Sequence, residues 1–145
     1  TTPAARLAPG EYGRVEPPAE LLAFGNGRIP ATHMTEIGHG DHRLHAPAAA
    51  AFDQMEAAAQ ADGVSFDVIS SYRDLATQNR LAHEKGLYSQ GGLAATPGTS
   101  NHGWGLSVDL ELDDRAQVWM RENGWRFGFV EDVSREPWHW TYRPS

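Results

Sequence analysis

Residues 100–110 read SNHGWGLSVDL. Leu106, Val108 and Leu110 alternate here with Ser107 and Asp109, the period of two of a strand with one apolar face. The longer run LSVDLEL adds Leu112 to the apolar set and Glu111 to the polar one, so a strand is predicted over 106–112. It carries an ionisable carboxylate, Asp109, in mid-run, seven residues after His102. A straight strand of that length spans about 23 Å, whereas two ligands of one zinc ion each lie ~2 Å from the metal. His102 and Asp109 can share an ion only if the chain turns between them, and Gly103 and Gly105 permit such a turn. Taken alone, the segment fits equally a capping histidine and a hydrogen-bonded aspartate at a sheet end.

The flanking sequence supplies the other elements. The stretch APAAAAFDQMEAAAQADG, 46–63, puts Ala48, Phe52, Met55 and Ala59 at helical spacing, with Gly63 ending the helix. VSFDVIS, 64–70, alternates Val64, Phe66 and Val68 as a strand does. Asp74 can cap a second helix, LATQNRLAHEK, stopped by Gly86. Residues 86–101 hold many turn formers and no period, and read as a long loop. Asp113 or Asp114 can cap a third helix, RAQVWMREN, ended by Gly124; WRFGFV and PWHWTY read as two closing strands. Residues 1–46, rich in Pro and Gly, hold one short helix, PPAELLAF, capped by Gly25, and otherwise read as a wrapping arm. This order predicts an α+β fold, a small antiparallel sheet with flanking helices.

Composition narrows the chemistry. A chain of 145 residues fits one domain, and a domain of this size hides roughly 68–70% of its unfolded surface. With no cysteine, any metal must be held by His, Asp or Glu. A net charge of −7 and no Lys/Arg run argue against a nucleic-acid partner. No stretch approaches the ~20 apolar residues of a membrane span. The start, TTPAARLAPG, lacks the shape of a signal peptide, so a signal or anchor would lie outside this sequence.

Two further segments bear on chemistry. In EPWHWTY, Pro137 steers Glu136 away from helix, and a polyproline-like path of ~3 residues per turn would bring Glu136 and His139 together. His139 and Thr141 would then share a strand face, leaving Trp138, Trp140 and Tyr142 for packing; alone, the segment also reads as a structural aromatic strand. In SSYRDLATQ, Arg73 falls at a strand-to-helix junction, from which it can project over the sheet end or make a surface ion pair. Together these pieces give two imidazoles, a carboxylate, a further glutamate and an arginine. That is the inventory of hydrolytic zinc, with three ligands, an open position for water, a base and a cation. In GHGDHRLH, by contrast, His39, His42 and His45 recur every three residues among glycines. They read as a solvated loop with His45 capping a helix, not as a second metal site, and His33 and His83 as surface residues.

SSYRDLATQ, PGTSNHGWGLSVDL and EPWHW resemble the three signature blocks of VanY-type D-alanyl-D-alanine carboxypeptidases, within the group that includes lysostaphin-type peptidases and the hedgehog signalling domain. The resemblance covers about residues 28 to 143, a catalytic core preceded by an N-terminal arm, 1–27. It implies a zinc site at the sheet face, with one Zn2+ per chain held by His102, Asp109 and His139. It further implies Glu136 as general base, Arg73 on the substrate carbonyl or carboxylate, Ser100 helping to bind a terminal carboxylate, and Gln78 lining the pocket. The implied activity is hydrolysis of peptidoglycan stem peptides by a monomeric, secreted or envelope-associated bacterial enzyme releasing C-terminal D-alanine. The alternatives are an endopeptidase cutting between L-alanine and D-glutamate, a zinc-containing binding domain without turnover, and an acidic interaction module whose polar residues only close a sheet.

Overall fold

The alanine-rich segment forms α1 (Ala46–Ala61), and the four residues expected on its inner face, Ala48, Phe52, Met55 and Ala59, are all fully buried. Gly63, at φ 74°, reverses the chain, and the Val64 N–H returns to the Ala59 carbonyl, closing the helix end. The computed structural model describes residues 2–92 and 94–145. α2 (Leu75–Lys85) starts where Asp74 accepts a hydrogen bond from the Thr77 N–H, and α3 (Asp114–Asn123) where Asp113 does the same for Ala116.

Residues Thr35–Glu36 (β1) and Arg43–Leu44 (β2) pair as a small antiparallel hairpin. The main sheet has β3 (Asp67–Ser70), β4 (Ser107–Glu111), β5 (Phe129–Val130) and β6 (His139–Tyr142) in the order β3-β4-β6-β5, every neighbour antiparallel. Val108, Leu110 and Trp140 point to one face of this sheet and pack with Phe52, Met55, Met120 and Phe129 into the main core. The α+β architecture expected from the sequence is therefore present.

Several local expectations are corrected. The segment 17–24 forms only a 3-10 turn, Ala19–Leu21, because Pro17 and Pro18 withhold donors and Gly25, at φ 88°, breaks the chain soon after. The first half of WRFGFV is likewise a 3-10 turn, Gly124–Phe127, ended by Gly128 at φ 87°, and only Phe129 and Val130 pair as strand. β3 begins at Asp67, although Val64 and Phe66 are buried as foreseen. The arm contributes the hairpin β1–β2, which its Pro and Gly content concealed. On the polar face of β4, Ser107 and Asp109 are both buried.

Candidate metal centre and cleft

The turn demanded between His102 and Asp109 is a 3-10 helix, Asn101–Trp104, followed by Gly105 in the left-handed conformation at φ 70°. Ser100 caps it, its hydroxyl accepting from the His102 N–H at 3.2 Å. Gly103 is needed there for space, since a Cβ would stand 1.8 Å from Asn26 Oδ1. Asn26 itself donates to the Ser100 carbonyl at 2.7 Å, and the Gly27 N–H donates to the Gly103 carbonyl at 2.9 Å, so the arm clamps this loop. The register of the sheet does the rest, setting Asp109 directly across from His139 on β6 and from Ser70 on β3.

Three donor atoms converge as a result. His102 Nε2 lies 3.2 Å from His139 Nδ1 and 3.2 Å from Asp109 Oδ1, and His139 Nδ1 lies 3.1 Å from Asp109 Oδ1. All three residues are buried, and among the described residues they form a group able to hold a metal ion. His102 Nδ1 must donate to the Ser71 carbonyl, 2.7 Å away, which leaves the lone pair of Nε2 facing its two partners. Burial pushes the His102 pKa down and Asp109 only partly offsets this, so the ring is held neutral, the form a metal requires. Burial pushes the Asp109 carboxyl up, but the two adjacent imidazoles outweigh it and hold the group far below the usual carboxylate range. At His139 burial pulls the pKa down while Asp109, Asp132 and Glu136 more than compensate, leaving it raised.

The expected convergence of Glu136 and His139 occurs, but through a β-turn closed by the His139 N–H on the Glu136 carbonyl at 3.0 Å, with Pro137 in the turn, and not through a polyproline path. Glu136 Oε1 comes to 4.0 Å from His139 Nδ1. Arg73 Nη2 donates to Asp109 Oδ2 at 2.6 Å and its Nε to Ser70 Oγ at 2.8 Å, so this arginine also orients a member of the donor group. Gln78 is buried. Its Nε2 donates to Asn26 Oδ1 and the Arg73 carbonyl, and its Oε1 accepts from the Gly98 N–H at 2.9 Å. All seven residues singled out from the sequence line one cleft of about 290 Å³.

The three histidines of GHGDHRLH do not gather. His39 bonds Glu56, His42 bonds Ser71 and His45 bonds Glu20, the last from the N-cap position of α1 without capping through its side chain. His33, exposed, rests against the Phe24 ring, and His83 is exposed. The sequence reading missed Ser71 and Asp132, which bond or face the two imidazoles from behind. Ser71 acts through its carbonyl, which carries no sequence signal, and Asp132 lies in a connection after β5 whose burial depends on the whole sheet.

A His/Asp/His donor group, flanked by an arginine and a glutamate at the face of a small antiparallel sheet, is an arrangement able to hold a hydrolytic metal ion. The sequence model described as VanY, D-alanyl-D-alanine carboxypeptidase, matches residues 41–145, and the chain belongs to that family. It is 32% identical over 154 aligned positions to a D-alanyl-D-alanine carboxypeptidase of Enterococcus faecalis (strain ATCC 700802 / V583), with 84% of this chain and 57% of that protein aligned. The chain thus spans little more than half the length of that relative. Among solved structures it is similar to VanYB in complex with D-alanine-D-alanine (TM-score 0.62, 31% identity, 79% of this chain and 80% of that one). It is also similar to a vancomycin-resistance D,D-pentapeptidase VanY variant in complex with Zn(II) (TM-score 0.60, 30% identity, 79% of this chain and 82% of that one).

Proposed function

We propose that the chain is a zinc-dependent carboxypeptidase that releases C-terminal D-alanine from peptidoglycan stem peptides, acting at the cell envelope or outside the cell. The observation that carries this reading is the donor triangle at the foot of the cleft. Nitrogen and oxygen donors ~2.0–2.1 Å from a tetrahedral ion stand about 3.3 Å apart, and the three edges here measure 3.1–3.2 Å. His102, Asp109 and His139 would hold the ion.

Zinc, when bound, supplies a Lewis acid that polarises a carbonyl and lowers the pKa of water toward ~7. The protein's own groups supply the rest. Glu136 is the proton acceptor, buried beside His139 and able to receive a proton from the attacking water and return it to the leaving amine. Arg73, anchored by Asp109 and Ser70, presents a fixed cation on the cleft wall for the carboxylate of the terminal residue. Ser100, two residues before His102, lines the same cleft and adds a hydroxyl. The small cleft suits the end of a peptide better than its middle, being near the lower limit of ligand pockets, roughly 300 Å³.

The deciding experiment is mass spectrometry of stem pentapeptides after incubation with the zinc-loaded protein. Loss of a single D-alanine is expected. Release of larger fragments would replace this reading with the endopeptidase one, and intact peptides in the presence of bound zinc would replace it with a binding domain.

A further inference from the structure

Behind His139, on the side away from Asp109 and His102, lies a closed polar network that the proposed chemistry does not use. Asp132 has a side chain only 2% exposed and stands 3.5 Å from His139 Nε2 through Oδ1. Its Oδ2 accepts from Arg143 Nε at 2.9 Å, with Asn101 Nδ2 3.5 Å away. Its Oδ1 is 2.9 Å from Thr141 Oγ1. That hydroxyl is also 2.7 Å from Ser107 Oγ, its cross-strand partner on β4, and 3.2 Å from His139 Nε2.

The direction of every bond in this network follows from its one fixed acceptor. An ionised carboxylate only accepts, so the single hydroxyl hydrogen of Thr141 points to Asp132. Thr141 Oγ1 then has only lone pairs left for its other two neighbours, so Ser107 donates to it and so does His139 Nε2. In the neutral ring that metal ligation requires, a proton on Nε2 leaves Nδ1 bare, and Nδ1 is the atom 3.1 Å from Asp109 Oδ1 and 3.2 Å from His102 Nε2.

We propose that Asp132 is a positioning residue for the metal centre: acting through the Thr141 hydroxyl, it fixes His139 with its proton on Nε2 and its Nδ1 lone pair turned toward the ion. This rests on the reading of the donor triangle as a zinc site. Second-row groups of this kind set the tautomer and orientation of a ligating histidine, and their loss costs ~10–100-fold in metal affinity. The arm braces the network, since the Gly10 N–H donates to the Asp132 carbonyl and the Tyr12 ring lies 5.5 Å from the Arg143 guanidinium.

The test is the zinc dissociation constant, by chelator competition, for the parent, Asp132→Asn and Thr141→Val, together with the melting temperature of each without metal. An amide can donate to Thr141 as well as accept from it, so Asp132→Asn keeps the shape and loses the imposed direction. Both variants should bind zinc at least about tenfold more weakly. A purely structural role would lower the metal-free melting temperature and leave zinc affinity unchanged, so parental affinity in Asp132→Asn overturns the proposal. Should that variant not fold, parental affinity in Thr141→Val overturns it. A parent that binds no zinc in the same assay overturns the zinc reading, and this proposal with it; a parent that binds beside unaffected variants overturns only the role of Asp132.

Discussion

Asp109 and His139 face each other across adjacent strands of the main sheet, with Asp109 Oδ1 3.1 Å from His139 Nδ1. The pair is thus fixed by backbone register and not by a flexible loop, and a one-residue slip of β6 would turn His139 to the core face. His139→Ala should lose most of its zinc, measured by elemental analysis after gel filtration. A normal zinc content in that variant would remove His139 from the ligand set.

Glu136 offers a carboxylate beside the donor group, and ligation and proton transfer make opposite demands on it. As a base it can be replaced by the isosteric amide without loss of metal. Glu136→Gln should therefore retain its zinc while turnover falls by roughly 10²–10⁴-fold. Zinc loss in this variant would make Glu136 a ligand.

Arg73 and Ser100 give the cleft a cation and a hydroxyl for a free carboxylate, and hydrogen bonds to a charged group contribute ~1.5–3 kcal/mol. Amidating the C-terminus of a stem peptide removes that charge. Catalytic efficiency, kcat/KM, should drop at least about tenfold, the equivalent of ~1.4 kcal/mol. Equal cleavage of the free-acid and amidated peptides would show that the terminus is not what this wall recognises.

The cap of α2 provides a stability test at a group that is neither a candidate ligand nor a lining residue of the cleft. The backbone N–H of Thr77 holds the Asp74 carboxyl below its ordinary pKa, so the folded state favours the ionised form. Its contribution is present above the unfolded value of about 3.9 and fades as the pH falls through the lower folded value. Asp74→Ala should cost about 1 kcal/mol at neutral pH, some ~3–4 °C of melting temperature. Thermal melts of the two proteins should draw together below about pH 4; a gap that stays constant into acid would mean the carboxylate's charge is not what stabilises the helix start.

The three long helices and the central strand were legible because each rests on a local signal, a period or a cap, that tertiary contacts reinforce. Asp74, Asp113 and the apolar alternation of β4 are examples. The candidate site was legible where residue type and spacing set strong geometric demands, as with the glycines between His102 and Asp109. What escaped was set by distant partners. Phe127 reads as part of the same strand as Val130, yet only Phe129 and Val130 have β6 beside them, and no local pattern separates the turn from the strand. Ser107 carries no sequence sign of its cross-strand partner, and it is buried against Thr141. Asp132 reads as a loop carboxylate, and only the assembled sheet brings it behind His139.

Asn26 and Gly27 hold the loop of His102 from a part of the chain that precedes the family-matched span, 41–145. The line drawn by sequence similarity and the line around the mechanical unit therefore differ. A fragment cut at residue 41 would keep all seven candidate site residues and lose the bracket beneath Ser100 and Gly103. Transplanting this centre into another scaffold, or trimming the chain for crystallisation or engineering, has to carry the GNGR segment along with the three signature blocks.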